Sequence, residues 1–384
     1  MTNTQELIAQ IPNTINAYII ENEIGKGTLG GVYSAINQYT DEKVAIKILF
    51  KKTLQRNKSE LSLINNEITI LKILNHKNII KLYEVFETSN FIFIVTELCT
   101  GKQLFDMIYT KKNLTESEAL PIFHQLIDAL VYLHNMNIVH RDIKPEHILF
   151  DTAGNIKLTD FGYSCYYNSK NNILNEDVGT PSYACPEMHK GMWYKPEQAD
   201  VWSCGVVLYV MVCGYLPFSE EDEEENVRYI EKGDYEIPSY LSPQLVDLIK
   251  HMMDPDPKTR YYLADVINHA WFNSSPSFQT LLGGINYFEM KYPIDSRILN
   301  ICDSYGFDKD KVKVALEQNK YNEYSTVYRL CVNKIVNAGM SSISDLSSNE
   351  FKGYIEDKNN ILDEEEQHNK QEKFDKEIQE MKTI

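Results

Sequence analysis

A glycine-rich segment near the N-terminus has the spacing that would bring backbone N–H groups close to phosphate. Gly25, Gly27, Gly30 and Val32 follow the pattern GxGxxGxV. Glycine lacks a Cβ, so the backbone there can approach phosphate oxygens closely. Dinucleotide-binding folds use a similar pattern to open a helix, but here Val32 and Tyr33 continue into a strand pattern. We therefore interpret the segment as a hairpin that lies over phosphates.

A lysine that ends a short apolar run is the second candidate. Lys47 follows Val44, Ala45 and Ile46, so its stem is expected to be buried and its ammonium to need an anionic partner. Glu67, on the helix predicted next along the chain, is the candidate partner. A lone lysine on a strand is more often a solvated charge at the edge of a sheet. We favour a buried, paired Lys47 here because two further motifs follow.

Two carboxylates in separate motifs complete the set. Residues 140–146 read His-Arg-Asp-Ile-Lys-Pro-Glu and include Asp142, and residues 160–162 read Asp-Phe-Gly. Carboxylate oxygen is the ligand that hard cations such as Mg²⁺ prefer, which makes Asp160 a candidate metal ligand. Four motifs in this order do not arise together by chance.

The four motifs resemble those of eukaryotic protein kinases, and the resemblance covers residues 18–272. Lys144 together with Thr180 is similar to serine/threonine kinases rather than tyrosine kinases. The resemblance implies an α+β fold of two lobes, a small β-rich N-lobe and a large helical C-lobe. It also implies ATP-dependent phosphorylation of Ser or Thr in protein substrates, with a role in intracellular signalling. The resemblance to protein kinases also includes the segments Gly179-Thr180-Pro181, Cys185-Pro186-Glu187, Asp200-Val201-Trp202 and Arg260.

The resemblance also implies a role for each candidate residue. Phosphoryl transfer has a charge-rich transition state, so catalysis rests on positioning and on neutralising charge. Lys47, held by Glu67, would bind the α- and β-phosphates, and Lys144 would steady the γ-phosphate. Asp142 would orient the substrate hydroxyl, and Asp160 would bind Mg²⁺.

The nucleotide pocket is implied in the same way. Glu97 and Cys99 fall at the backbone hinge for adenine, and Thr96 guards the rear of the pocket. Elsewhere, Glu187 is expected to pair with Arg260 as a structural lock. The residues expected to contact the nucleotide or its metal are Gly25, Gly27, Gly30, Val32, Ala45, Lys47, Thr96, Glu97, Cys99 and Asp160.

The most serious departure from the family is His147, which stands where kinases carry an asparagine that ligates the second Mg²⁺. His147 and Asp160 are thus the predicted metal residues. Imidazole suits Mn²⁺ better than Mg²⁺. Two interpretations follow: an active kinase that is weak or prefers Mn²⁺, and a pseudokinase that binds nucleotide and acts as a scaffold. We favour activity because the other catalytic residues are all present.

A second departure lies in the activation segment. Related kinases carry a phosphorylatable threonine three residues before Gly179, where this chain has Glu176. We hypothesise that Glu176 partly substitutes for phosphate against Arg141, so that activity does not depend on an upstream kinase. A carboxylate brings one charge and two acceptors where a phosphate brings nearly two charges and three acceptors. A solvated acidic loop is the alternative.

Acidic residues near the expected substrate groove have two interpretations. The carboxylate usual after the hinge is replaced by Gln103, which puts a preference for basic substrates in doubt. Residues 220–225 are six consecutive acids, at a place where kinases have a helix bordering the groove. They either compensate for Gln103 or, as we favour, complement the positive end of that helix.

Residues 292–337 resemble the ubiquitin-associated-like domain of AMP-activated and microtubule-affinity-regulating kinases. The resemblance rests on Tyr305-Gly306-Phe307, residues 319–322 and Tyr328-Arg329-Leu330. It implies a small three-helix domain that docks in cis on the kinase domain. A generic helical appendage is the alternative.

The predicted elements place these motifs on a two-lobed scaffold. Strand patterns at 18–50, 79–86 and 91–96 surround a helix at 60–75, and helices at 115–134, 199–212 and 242–253 follow. The expected domains are an N-terminal extension 1–17, the kinase domain 18–272, a linker 273–291, the ubiquitin-associated-like domain 292–337 and an acidic, mobile tail 338–384.

Composition excludes several other functions. The 384 residues carry a net charge of −17, whereas nucleic acids and anionic membranes are bound through clustered Lys and Arg, so neither partner is expected. Seven scattered cysteines without a CxxC pair fit a cytoplasmic protein, with access to the nucleus left open. No signal or lipid-anchor pattern is evident, and the apolar stretch 201–218 is expected to be a buried helix.

Overall fold

The computed structural model describes residues 11–354, apart from residues 28, 56, 168–172, 221, 275–292, 346–347, 349 and 352. Most of the expected N-terminal extension, most of the linker and the end of the tail lie outside the described residues. The chain divides into two compact units. The first unit contains residues 1–36 and 43–290, and the second contains residues 37–42 and 291–384.

Ten strands lie within the described residues, and six of them form one sheet in the order β1-β2-β3-β4-β6-β5. The strands are Thr14–Ile15 (β1), Tyr18–Gly27 (β2), Gly30–Asn37 (β3), Lys43–Phe50 (β4), Leu82–Glu87 (β5), Phe91–Glu97 (β6), Ile138–Val139 (β7), Ile148–Phe150 (β8), Ile156–Leu158 (β9) and Cys165–Tyr166 (β10). Successive side chains of a strand point to opposite faces of the sheet. On β4 this alternation buries Val44, Ile46 and Ile48 completely on one face and sends Lys47 to the other.

Two helices follow β4, and the second carries Glu67. They are Lys51–Leu54 (α1) and Lys58–Leu71 (α2). The side chain of Asn57 caps α2 by accepting a hydrogen bond from the Glu60 backbone at 3.4 Å. The predicted helix at 60–75 is therefore confirmed, with its start and end shifted toward the N-terminus.

The strand predicted at 79–86 begins only at Leu82, for a physical reason. Ile80 donates its backbone N–H to Leu158 at 3.0 Å, and Leu158 donates to Asn78 at 2.8 Å. The residues before Leu82 thus hydrogen-bond with β9 instead of extending β5. Residues far along the chain make these bonds, and a local pattern of hydrophobicity cannot reveal them.

Helices dominate the rest of the first unit. They are Leu104–Lys111 (α3), Glu116–Asn135 (α4), Pro186–His189 (α5), Pro196–Cys213 (α6), Glu223–Lys232 (α7), Pro243–Met252 (α8) and Leu263–Asn268 (α9). Helix α6 is buried on all sides, with Glu197 as its one residue outside the core. The apolar stretch from residue 201 is accordingly a core helix, as predicted. None of the helices that the structure describes is long and apolar enough to cross a membrane.

The acidic run at 220–225 lies partly at the start of a helix, and its residue 221 is outside the described residues. Asp222 is the N-cap of α7, and its carboxylate accepts a hydrogen bond from the Glu225 backbone at 2.9 Å. Acidic side chains at this end of a helix are stabilised by the helix dipole. The geometry supports the interpretation of the run as a helix cap.

Three helices form the core of the second unit among its described residues. They are Ser296–Ser304 (α10), Lys309–Glu317 (α11) and Glu323–Asn337 (α12), each begun by a polar N-cap side chain. Ile298, Cys302, Val312 and Tyr328 are completely buried in their shared core. Phe351, which lies beyond α12, is also buried. The three predicted helices are present, while the domain boundaries stay predictions.

Candidate active site

The glycine-rich segment joins β2 to β3. Gly25 and Gly27 lie on β2, and Gly30 and Val32 on β3. A Cβ at Gly30 would lie 1.8 Å from the carbonyl oxygen of Ile48 on β4. At Gly30, therefore, the close approach of the neighbouring strand already requires glycine, before any phosphate is considered.

An ion pair links the sheet to α2. The Nζ atom of Lys47 lies 2.7 Å from a carboxylate oxygen of Glu67. Val32 is paired with Lys47 in the β3–β4 register, and Ala45 is paired with Thr96 on β6. Burial opposes the positive charge of Lys47, but the Glu67 carboxylate and its hydrogen bond outweigh it and raise the pKa of the amine. Lys47 is thus held as an ammonium beside the predicted phosphate site.

Asp142 lies in a hydrogen-bonded group with two other predicted residues. The hydroxyl of Thr180 donates to Asp142 Oδ1 at 2.7 Å, and Lys144 Nζ donates to the same hydroxyl at 2.7 Å. Lys144 Nζ is also 3.3 Å from Asp142 Oδ2. The carboxylate is therefore fixed in orientation and has a cation beside it.

A completely buried aspartate holds the backbone of this loop in place. Asp200, on α6, accepts hydrogen bonds from the backbone of His140 at 3.0 Å and of Arg141 at 2.8 Å. Burial opposes its ionisation, but the bonds and charges of His134 and His140 outweigh this and lower the pKa of Asp200. Arg141 itself has φ +65°, a conformation that side-chain-bearing residues rarely adopt.

Asp160 begins the Asp-Phe-Gly segment in a similarly unusual conformation, with φ +63°. Phe161 is completely buried, and its ring meets that of His140 edge-on. Burial opposes ionisation of Asp160, while the nearby His147 and Lys47 lower the pKa of its carboxyl group below the usual value. The carboxylate is thus available to a cation.

His147 lies between the two aspartates. Its Nδ1 is 2.9 Å from the backbone carbonyl of Asp142, and its Nε2 is 3.3 Å from Asp160 Oδ2. A carbonyl only accepts, so Nδ1 carries the proton and donates. Nε2 faces the Asp160 carboxylate, with which it pairs when the ring is protonated on both nitrogens, and it offers a lone pair when the ring is protonated on Nδ1 alone. Asp160 and His147 remain the predicted metal residues, while no cluster of three or more His, Cys, Asp or Glu side chains that could hold a metal ion occurs among the described residues.

Glu176 is paired with Arg141. An oxygen of its carboxylate lies 2.5 Å from Arg141 NH1, and Arg141 Nε donates to the Tyr163 carbonyl at 2.7 Å. The Arg141 side chain is 7% exposed and that of Glu176 is 60% exposed. The carboxylate reaches the guanidinium from the solvent side. This is the contact expected if Glu176 partly substitutes for a phosphate group.

The predicted hinge residues lie at the end of β6. The side chain of Glu97 accepts from the Lys81 backbone at 2.7 Å and pairs with Lys157 at 2.8 Å. Its carboxylate is therefore engaged within the protein, which leaves the backbone for any contact with adenine. Burial raises the pKa of the Cys99 thiol to about 12, so the thiol stays protonated at neutral pH.

Two further contacts bear on the site. The predicted structural lock is in place, since Arg260 NH2 lies 2.8 Å from Glu187. Sequence reasoning missed Asn66, whose side chain reaches the backbone that follows Asp160. Its position directly before Glu67 was the one available signal.

Comparisons with known proteins point to one family. A family model described as the protein kinase domain matches residues 18–272. The chain is 36% identical over 337 residues to the serine/threonine-protein kinase SIK2 of Gallus gallus, which covers 87% of this chain and 42% of that protein. It is 42% identical over 258 residues to the CBL-interacting serine/threonine-protein kinase 24 of Arabidopsis thaliana, covering 67% and 58%.

A third relative comes from the same plant. The chain is 36% identical over 327 residues to the SNF1-related protein kinase catalytic subunit alpha KIN12 of Arabidopsis thaliana, which covers 85% of this chain and 65% of that protein. The chain thus spans less than two thirds of the length of each of these relatives.

Proposed function

The chain belongs to the protein kinase family, and from this premise we propose that it is a serine/threonine kinase that transfers the γ-phosphate of ATP to protein substrates. One observation carries the proposal: Asp142, Lys144 and Thr180 form one hydrogen-bonded group in the same unit as the Lys47–Glu67 ion pair. The first group would handle the substrate hydroxyl, and the pair would hold the phosphates.

Each residue acts through its position. Lys47, kept charged by Glu67, neutralises phosphate oxygens on the nucleotide. Asp142 accepts a hydrogen bond from the incoming hydroxyl and orients it in line with the γ-phosphate. Lys144 lies beside Asp142, where its ammonium would neutralise charge on the γ-phosphate as it is transferred to the bound hydroxyl. A divalent cation, when bound, supplies further neutralisation of the phosphates, and Asp160 with His147 would hold it.

The chemistry of this donor pair favours Mn²⁺ over Mg²⁺. Mg²⁺ prefers oxygen ligands, whereas Mn²⁺ accepts an imidazole nitrogen more readily. The Nε2 lone pair and the Asp160 oxygen, 3.3 Å apart, offer one ligand of each kind. The pseudokinase interpretation receives no support from the relatives, which carry the names of serine/threonine kinases.

The experiment that tests the function compares wild type with Asp142→Asn, which keeps the shape of the side chain and removes its charge. Transfer of labelled phosphate to a peptide library containing Ser and Thr is measured in Mg²⁺ and in Mn²⁺. We expect the substitution to lower transfer by about 100-fold or more, with ATP affinity retained. A wild-type protein that binds ATP and transfers no phosphate in either metal would contradict the proposal.

We also propose that the paired Glu176 and Arg141 keep the activation segment in its working position without phosphorylation. The support is the contact itself, together with the hydrogen bond that Tyr194 donates to the Glu176 backbone carbonyl at 3.1 Å. Arg141 precedes Asp142, so a fixed guanidinium helps to fix the catalytic loop.

For the C-terminal helices we propose docking in cis through the turn between β3 and β4. Residues 37–42 group with these helices in the second compact unit. Within that unit the rings of Tyr39 and Phe307 meet edge-on, 4.9 Å between centroids, and Lys334 donates to the Thr40 carbonyl at 2.8 Å. We further propose a cytoplasmic location, which the seven free cysteines support.

A further inference from the structure

The side chain of Asn66 contacts the backbone of the segment that follows Asp160. Its Nδ2 lies 2.7 Å from the carbonyl oxygen of Ser164, 2.9 Å from that of Gly162 and 3.4 Å from that of Phe161. All three neighbours are acceptors, so the amide must present its NH₂ group to them. The two N–H groups of the amide donate to the carbonyls of Ser164 and Gly162. The longer contact, with the Phe161 carbonyl, shares one of these N–H groups.

These bonds connect two elements that both supply groups around Lys47. Asn66 is on α2, one residue before Glu67, which holds Lys47 at 2.7 Å. Its acceptors belong to residues 161–164, directly after Asp160, whose charge also acts on Lys47. A displacement of α2 would therefore pull on the metal-binding segment as well as on the ion pair.

The segment needs such support because its backbone is unusual. Asp160 has φ +63°, and backbone carbonyls in an irregular segment must find donors outside a regular ladder. No strand or helix spans residues 159–164 in the described structure. Asn66, on α2, donates to two of these carbonyls at 2.7 and 2.9 Å.

We propose that Asn66 is a positioning residue that holds the Asp160–Gly162 segment in the metal-binding conformation and couples it to the Lys47–Glu67 ion pair. The inference rests on the proposed kinase function for its kinetic consequences. Asn66 acts through Asp160 and Glu67 and touches no reacting group itself.

The test uses Asn66→Asp in the full chain, with Asn65→Asp as the matched control. Aspartate has the shape of asparagine but no N–H to donate, and it would face three carbonyl oxygens. Asn65 is the exposed neighbour on the same helix, so its substitution adds the same charge without touching the segment. Asn66→Gln keeps the NH₂ group and serves as the conservative variant.

Three measurements together distinguish positioning from general stability. The metal concentration that gives half-maximal phosphotransfer should rise about tenfold in Asn66→Asp, as expected for the loss of about 1.4 kcal/mol of hydrogen bonding. Hydrogen exchange of the backbone amides at 161–166 should accelerate by a similar factor. Because the lost hydrogen bonds also stabilise the fold, the thermal unfolding midpoint should fall a few degrees below that of Asn65→Asp, and Asn66→Gln should recover part of the metal response.

The outcomes separate clearly. If Asn65→Asp and Asn66→Asp shift the metal dependence and the exchange equally, added charge on α2 is the cause and the inference is wrong. If Asn66→Asp lowers only the unfolding midpoint, the residue is structural and the inference is again wrong. A wild type without phosphotransfer would contradict the proposed function, while faster exchange confined to Asn66→Asp would still support the positioning role.

Discussion

At the scale of single residues, the site combines the usual residue types of a kinase with two substitutions that change its chemistry. His147 places an imidazole nitrogen, a proposed metal ligand, where kinases normally carry an asparagine. Glu176 places a permanent carboxylate where related kinases carry a phosphorylatable threonine. Both substitutions were visible in the sequence. The hydrogen bond from Nδ1 of His147 to the Asp142 carbonyl, which orients the Nε2 atom, could be seen only in the structure.

His147→Asn should move the metal preference toward Mg²⁺. The substitution replaces a nitrogen ligand with an amide oxygen, which Mg²⁺ binds more readily. We expect the ratio of phosphotransfer in Mn²⁺ to that in Mg²⁺ to fall about tenfold, a difference of roughly 1.4 kcal/mol. Binding of Mn²⁺ in the presence of nucleotide, followed by electron paramagnetic resonance, should weaken as well. His251→Asn on α8 is the control, and an unchanged metal ratio in His147→Asn would contradict the assignment.

Glu176→Gln should lower activity by weakening the contact with Arg141. The amide keeps one acceptor and loses the charge. Because the Glu176 side chain is 60% exposed, solvent screens the pair, and we expect a modest fall in kcat/KM of about three- to tenfold. Asp177→Asn, the adjacent exposed acid, controls for loop charge. Equal activity of Glu176→Gln and wild type would favour the solvated-loop interpretation.

At the scale of elements, the sequence predicted the helices and central strands that carry the site, because each has a strong local pattern. The N-cap side chains of Asn57 and Ser242 set where α2 and α8 begin. What the sequence could not predict were contacts between distant elements. The start of β5 depends on bonds to β9, and the role of Asn66 depends on carbonyls nearly a hundred residues away.

The glycine-rich hairpin shows how one motif can serve packing and binding at different positions. A Cβ at Gly30 would lie 1.8 Å from the Ile48 carbonyl, whereas a Cβ at Gly25 would meet only the Val32 side chain, at 3.5 Å. Gly30→Ala should therefore lower the free energy of unfolding by about 1–3 kcal/mol through strain between β3 and β4.

Gly25→Ala serves as the matched control. An ordinary contact distance predicts little loss of stability, while the added methyl group hinders the approach of phosphate and raises KM for ATP. Chemical denaturation and steady-state kinetics would measure the two effects. Equal destabilisation by both substitutions would show that the close contact at Gly30 is not what requires glycine there.

At the scale of the whole molecule, the net charge of −17 says little about mechanism, because individual acidic residues have different structural roles. Asp222 caps a helix, Asp200 anchors the catalytic loop and Glu176 pairs with Arg141. The division of the chain into two units was also only partly predictable. The helical pattern of residues 292–337 predicted the helices of the second unit. Nothing in the sequence of residues 37–42 indicated that this turn belongs to the same unit.

Tyr39→Ser tests whether this turn helps to hold the second unit together. The ring of Tyr39 meets Phe307, which is 8% exposed in the core of that unit, and an edge-on aromatic contact contributes about 0.5–1.5 kcal/mol. Its loss should accelerate hydrogen exchange of α10–α12 by about two- to tenfold. Tyr109→Ser, at a residue of α3 that is 81% exposed, is the control. Exchange that stays unchanged in Tyr39→Ser, or that rises equally in the control, would contradict docking through the turn and leave the helices as a separate appendage.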